Sequence, residues 1–299
     1  MQGEKAAILI VGGSGQVGTA LRHLPWPQRL QIHAPTRQQL DVTDEAAIVA
    51  VMASRKWSCV INCAAYTAVD AAENDAESAW RANAVGPAWL AAATGRAGTP
   101  VIHLSTDYVF DGEAKSAYRP SDPVQPLGVY GRSKAAGEDA VRQANPRHVI
   151  LRTSWVVSPF GRNFVKTMLS LATRQESLKV VNDQFGRPTS AADLAAAIQV
   201  VALRLIESAD PPVGTYHFAN AGRTTWYDIA VAIMAGARRR GAPAVPVEAI
   251  PTAAYPTPAQ RPLNCELCTS TITRDFAVEP RPWPLALDEI LDTLMAPPP

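Results

Sequence analysis

No run of about 18 apolar residues occurs in this sequence, so no membrane-spanning helix is expected. An excess of charge of either sign is also missing. Lys and Arg number 28 against 27 Asp and Glu, a formal charge of +1, which offers no basic field to nucleic acid or to an anionic membrane surface. Cysteine is scarce, with four residues. Cys265 and Cys268 form one Cys-x-x-Cys, but Cys59 and Cys63 are spaced differently within an apolar run, and no His-x-x-x-His accompanies them. Reduced thiols are therefore expected, and no metal site. The apolar segment Ala6 to Val11 that follows Met1 is too short for a signal h-region and no cleavage pattern follows it, which makes the cytoplasm the expected compartment.

What is present reads as an ordinary globular chain of 299 residues, 47 % hydrophobic and 18 % charged, enough for one large domain or two unequal ones. Ala6 to Val11 has the continuous apolar character of a parallel strand covered on both faces. Gly12-Gly13-Ser14-Gly15-Gln16-Val17-Gly18 follows at once, and then the helix-compatible Thr19 to His23. Strand, glycine turn and helix is the order that holds a dinucleotide pyrophosphate, because glycines admit it close to the backbone and a helix N-terminus faces its charge. The spacing Gly12-x-x-Gly15-x-x-Gly18 departs from Gly-x-Gly-x-x-Gly, so the reading rests on this context.

A second strand, Leu30 to Ala34, ends at Pro35-Thr36-Arg37. An arginine there would meet the 2′-phosphate of NADPH, where an acidic residue would bind a free ribose; Arg37 thus points to NADPH, with NADH as the alternative. A helix is expected from Thr43 to Ser54, and a third strand from Ser58 to Asn62. Its crest, Cys63-Ala64-Ala65-Tyr66-Thr67, is small enough at Ala64 and Ala65 for a cofactor to lie along the backbone. The helical stretch from Asp75 to Arg96 contains Asn83 and Pro87; Pro87 has no N–H, so the Asn83 carbonyl loses its helical partner and is free to hold a water.

Pro100 to Leu104 forms a fourth strand that runs into Ser105-Thr106-Asp107-Tyr108, and a hydroxyl at such a strand end can hold a substrate oxygen. Beyond Pro120, Pro123 and Pro126 a helix carries Tyr130 and Lys134. Four positions apart, they share one helical face, and an ammonium beside a phenol favours its ionised form. Val149 to Thr153 is the fifth strand. The alternation predicts an α/β fold with a doubly wound, Rossmann-like parallel sheet and right-handed crossovers. Residues 1–155 are expected to form the dinucleotide-binding domain. Residues 156–299 would form a smaller α+β substrate domain, with some segments returning to the sheet. In it Asn163 to Arg174 and Ala191 to Ser208 read as helices, Leu178 to Val181 and Gly214 to Phe218 as strands, and the proline-richer final stretch as irregular.

Together these features resemble the extended short-chain dehydrogenase/reductases, and within them the dTDP-4-dehydrorhamnose reductase family. The resemblance runs through Gly15 to Gly18, Asn62 to Asp70, Ser105 to Gly112, Tyr130 to Lys134 and Arg152 to Trp155. It continues at Asp183 to Thr189, Thr224 to Trp226 and Arg261 to Asn264. It implies an oxidoreductase of polysaccharide biosynthesis, in which NAD(P)H reduces the 4-keto group of dTDP-4-dehydro-L-rhamnose. Tyr130 would donate the proton and Thr106 would bond the same oxygen. Lys134 would bind the nicotinamide ribose and acidify Tyr130, and Asn83 would hold a relay water. Asp107 and Trp155 would contact the substrate with Thr106, the indole stacking along the sugar. Gly12, Gly15, Gln16, Val17, Gly18, Asp41, Val42, Ala64, Ala65, Tyr66 and Thr67 would line the cofactor, and a homodimer is the implied assembly. Two rivals share the fold: another nucleotide-sugar epimerase or dehydratase, and a non-catalytic subunit like that regulating methionine adenosyltransferase. A dehydratase of this group would carry Thr-Asp-Glu where this chain has Thr106-Asp107-Tyr108.

Overall fold

The computed structural model describes residues 6–296, so the outer ends of the two expected parts, Met1 and Pro299, lie outside the described residues. Strand β1 (Ala6–Val11) passes through the glycine turn into α1 (Gln16–His23), followed by β2 (Leu30–His33), α2 (Glu45–Ala53) and β3 (Trp57–Asn62). Then come α3 (Val69–Ala72), α4 (Ala76–Trp80), a π-helical turn (Arg81–Val85) and α5 (Gly86–Arg96). β4 (Val101–Thr106), α6 (Val129–Ala144) and β5 (His148–Thr153) complete the first half. The second half contains β6 (Val156–Val157), α7 (Phe164–Ala172), β7 (Leu178–Val181), β8 (Phe185–Gly186), β9 (Thr189–Ser190) and α8 (Ala191–Glu207). β10 (Gly214–His217), β11 (Thr224–Thr225), α9 (Trp226–Arg239), β12 (Val247–Ile250), α10 (Ser270–Phe276) and α11 (Trp283–Met295) follow.

Six strands form one parallel sheet in the order β10-β5-β4-β3-β1-β2. Side chains alternate between its faces: Ile8 and Ile10 enter the core shared with α1, α8 and α10, while Ala7, Leu9 and Val11 enter the core shared with α2, α5 and α6. Each buried Ile or Leu stabilises this sandwich by about 1.5–3 kcal/mol, which is why the strands read as unbroken apolar runs. The expected doubly wound α/β sheet is therefore the observed one.

Segments beyond residue 155 return to the sheet: β10 pairs with β5, and α8 packs against α1. One expectation is corrected, since the final stretch is not irregular. α9 and α11 pack with α7 and the β7–β12 pair into a separate core around Met168, Ile233 and Leu291. The start of α9 is set by a capping box, in which the Thr225 side chain accepts from Asp228 N–H while the Asp228 carboxylate accepts from Thr225 N–H.

Candidate active site

The carboxyl ends of β1, β2 and β3 surround a cavity of about 510 Å³. Gly12 makes it accessible: its φ is +79°, and a Cβ there would stand 2.6 Å from the Ala64 nitrogen. Of the residues expected to hold a cofactor, Gly12, Gly15, Arg37, Asp41, Val42, Ala64, Ala65 and Tyr66 line this cavity. Gln16, Val17, Gly18, Thr67, Tyr130 and Lys134 are not among its lining residues. Gly18 instead packs on Gly12, since a Cβ on it would stand 2.3 Å from the Gly12 carbonyl, and Val17 is buried in the core under α1. The Gln16 side chain turns to the second half of the chain, where its Oε1 accepts from Ser158 Oγ at 2.7 Å and Asn163 Nδ2 at 3.0 Å. Arg37 is exposed and bonds Asp41 at 3.0 Å, so its guanidinium stands at the rim.

Tyr130 and Lys134 share the buried face of α6, as their spacing requires. The expected coupling between them is not what the structure holds. Lys134 Nζ donates to the Leu104 carbonyl at 2.6 Å, and burial pushes its ammonium down to about 8. The Tyr130 phenol is pushed up to about 12 by burial, with a hydrogen bond from Thr106 opposing and nearby Asp107 reinforcing the shift. The lysine is drawn to a strand-end carbonyl, and it is Thr106 that acts on the phenol. Asp107 is 2 % exposed, and burial raises its carboxyl to about 6 although Cys265 and Thr106 bond it.

Asn83 is fully buried in the π-helical turn that Pro87 promotes. Its carbonyl does not stand free for a relay water as expected. It packs on α6, where a Cβ at Gly137 would lie 2.0 Å from it. The side-chain amide accepts from Tyr66 N–H at 2.8 Å and donates to the Tyr66 carbonyl and to Ser133 Oγ, each at 3.0 Å. Asn83 therefore clamps the Tyr66 crest of the cofactor cavity to α6. Asn83→Ala is expected to cost about 1–3 kcal/mol in denaturant unfolding, as buried polar groups of Tyr66 lose their partners, and to raise the Kd for NADPH in a fluorescence titration.

Trp155 has φ +48°, a left-handed backbone that costs a non-glycine residue roughly 1–3 kcal/mol and marks a constrained site. That turn sends the indole into the second core, where it stacks on Trp226 with centroids 4.0 Å apart. Trp155 is 9 % exposed, its indole held against Trp226. A second cavity, of about 730 Å³, lies against Trp226, and Tyr108, Lys179, Gln184, Tyr255 and Arg261 also line it. Arg261 joins the halves by bonding Asp70 at 2.6 Å.

The family described as RmlD substrate binding domain matches residues 6–296. A dTDP-4-dehydrorhamnose reductase of Aggregatibacter actinomycetemcomitans is 41 % identical over 288 residues, covering 95 % of this chain and 98 % of the relative. This chain belongs to the dTDP-4-dehydrorhamnose reductase family. Among solved structures, the reductase of Clostridium acetobutylicum is similar with a TM-score of 0.89 and 38 % identity, covering 96 % of this chain and 99 % of that one. The Bacillus anthracis reductase, solved in complex with NADP, has a TM-score of 0.89 and 32 % identity, covering 97 % and 99 %.

Within this reductase-family site the sequence pointed to the β-strand crests but not to Ser78 and Arg81, which close the first cavity from the α4 side. Their only signal is position, within two helical turns of the Asp75 N-cap. The second cavity is lined from both parts of the chain, by Asp70 and Tyr108 and by Phe164, Trp226 and Arg261, of which Arg261 stood in a motif without a role. All four cysteines are free thiols, and among the described residues no cluster of three or more His, Cys, Asp or Glu could hold a metal ion. Among the same residues no helix is long and apolar enough to cross a membrane.

Proposed function

We propose that this chain reduces the 4-keto group of dTDP-4-dehydro-L-rhamnose to dTDP-L-rhamnose with NADPH. The observation that carries the reading is that buried residues bearing the expected chemistry, Tyr130 and Lys134, adjoin residues of both cavities. Tyr130 packs edge-on against Tyr108 of the larger cavity, while Lys134 lies close to Cys63, which lines the first. The first cavity would hold the adenosine and pyrophosphate against Gly12, Gly15, Ala64 and Ala65, with Lys134 at the nicotinamide ribose. The cofactor, when bound, supplies the hydride. Tyr130, which keeps its proton at neutral pH, delivers it to the oxygen that gains negative charge. Thr106 donates to the same oxygen, and one preorganised donor of this kind is worth about 3–4 kcal/mol. The larger cavity would take the nucleotide sugar, with Trp155 and Asp107 bounding the sugar end.

The test follows NADPH absorbance with enzymatically generated dTDP-4-dehydro-L-rhamnose. Reduction with a rhamnose product supports the reading, and a protein that oxidises no cofactor, or releases an epimerised ketone, overturns it. Arg37→Ala is expected to weaken NADPH by roughly tenfold, about 1.4 kcal/mol, and to leave NADH unchanged. An equal loss for both cofactors would remove the 2′-phosphate from the role of Arg37.

A further inference from the structure

Gln16 lines neither of the two cavities. It is the first residue of α1, directly after Gly15 of the cofactor cavity, and its side chain leaves that cavity for the loop between β6 and α7. There its Oε1 accepts twice, from Ser158 Oγ at 2.7 Å and from Asn163 Nδ2 at 3.0 Å. An amide oxygen has two lone pairs, so this one loop takes both.

The loop is shaped around that contact. Asn163 is the N-cap of α7: its Oδ1 accepts from Lys166 N–H at 3.2 Å, while its Nδ2 also donates to the Ser158 carbonyl at 2.7 Å. Ser158 is buried, and its Oγ accepts from Phe160 N–H at 3.1 Å. Gly161 turns the chain with φ +62° beside the Gln16 stem, where a Cβ would stand 3.3 Å from Gln16 Cγ. The Phe160 ring stacks on His23, the last residue of α1, with centroids 5.5 Å apart. One loop thus grips both ends of α1 and starts α7.

Helix α7 gives the contact its consequence. Phe164, Thr167, Met168 and Leu171 line the larger cavity, and the Phe164 ring packs on Trp226 of the same cavity with centroids 4.6 Å apart. Phe164 follows the Asn163 cap directly, so a displaced cap displaces that wall. We propose that Gln16 is a positioning residue for the nucleotide sugar: it anchors the Ser158–Asn163 loop to α1 and so holds the α7 wall of the larger cavity. This rests on the reductase reading above for the occupant of that cavity, and it moves the Gln16 side chain out of the cofactor set that the resemblance implies.

Calorimetric titrations with dTDP and with NADP⁺ separate the two roles. Gln16→Met keeps the bulk of the side chain and removes its acceptor. It is expected to raise the Kd for dTDP about tenfold, in line with the loss of one or two neutral hydrogen bonds, and to leave the Kd for NADP⁺ unchanged. Asn163→Ser keeps a capping oxygen for α7 and removes the amide arm. It weakens dTDP likewise, and because the two residues act as one contact, the double variant binds dTDP no more weakly than Asn163→Ser alone. An unchanged Kd for dTDP in Gln16→Met, a loss for NADP⁺ as large as that for dTDP, or additive losses in the double variant each overturn the proposal.

Hydrogen exchange tests the anchor without any ligand. In Gln16→Met the amides of Thr167 to Leu171 are expected to exchange faster than in the wild type, with those of β1 unchanged. Unchanged α7 amides, or β1 amides that quicken equally, overturn the proposal independently of the titrations. A faster α7 in Gln16→Met together with a wild type that binds no dTDP would overturn only the reductase reading.

Discussion

Tyr130→Phe is expected to lower kcat by about 10²–10⁴, the usual contribution of a positioned general acid, with little change in the KM for either substrate. The ring remains, so its edge-on contact with Tyr108 and its place on α6 are kept and only the hydroxyl is lost. Burial holds that hydroxyl at about 12, so it is protonated throughout the neutral range. Steady-state NADPH oxidation measures the effect. A variant that keeps full kcat would take the proton donor away from Tyr130; a change confined to KM would make it a binding group.

The second large effect is on stability. Arg152 in β5 and Glu138 in α6 are each about 2 % exposed at their side chains, with Nε to Oε1 at 2.8 Å and Nη2 to Oε2 at 2.6 Å. The guanidinium lies over the Phe110 ring and contacts His217, whose ring burial and Arg152 together push down to about 3, so His217 stays neutral and adds no second positive charge beside it. Glu138→Gln leaves a buried cation without its counter-charge and is expected to cost about 3–5 kcal/mol in denaturant unfolding. Replacing both partners, Glu138→Leu with Arg152→Met, should recover most of that loss. If the double variant is no more stable than the single one, packing and not the unpaired charge governs the site.

The strands were legible because a sheet covered on both faces writes itself as runs such as Ala6 to Val11, each closed by small or polar residues. The cofactor crest was legible for the same reason, since ligand sites follow strand ends. α9 and α11 were obscured by the prolines around them, although Thr225 and Asp228 carry a capping-box signature. Local spacing placed Lys134 beside Tyr130 but could not show that Leu104 O would capture the ammonium. The left-handed backbone of Trp155 has no sequence signal at a tryptophan. The larger cavity draws residues as distant as Asp70 and Arg261, and only the fold brings those together.

The outer strand β10 also has a consequence for how the chain is made. β5 ends at Thr153, and its neighbour begins at Gly214, about 60 residues later. At ribosomal speeds that gap lasts roughly 3–12 s. Through this interval His148 to Thr153 presents an unpaired and largely apolar edge, the kind of surface that pairs with other chains. Folding of the nascent first half therefore depends on protection until His217 has emerged, and a chain that stops before Gly214 is expected to aggregate.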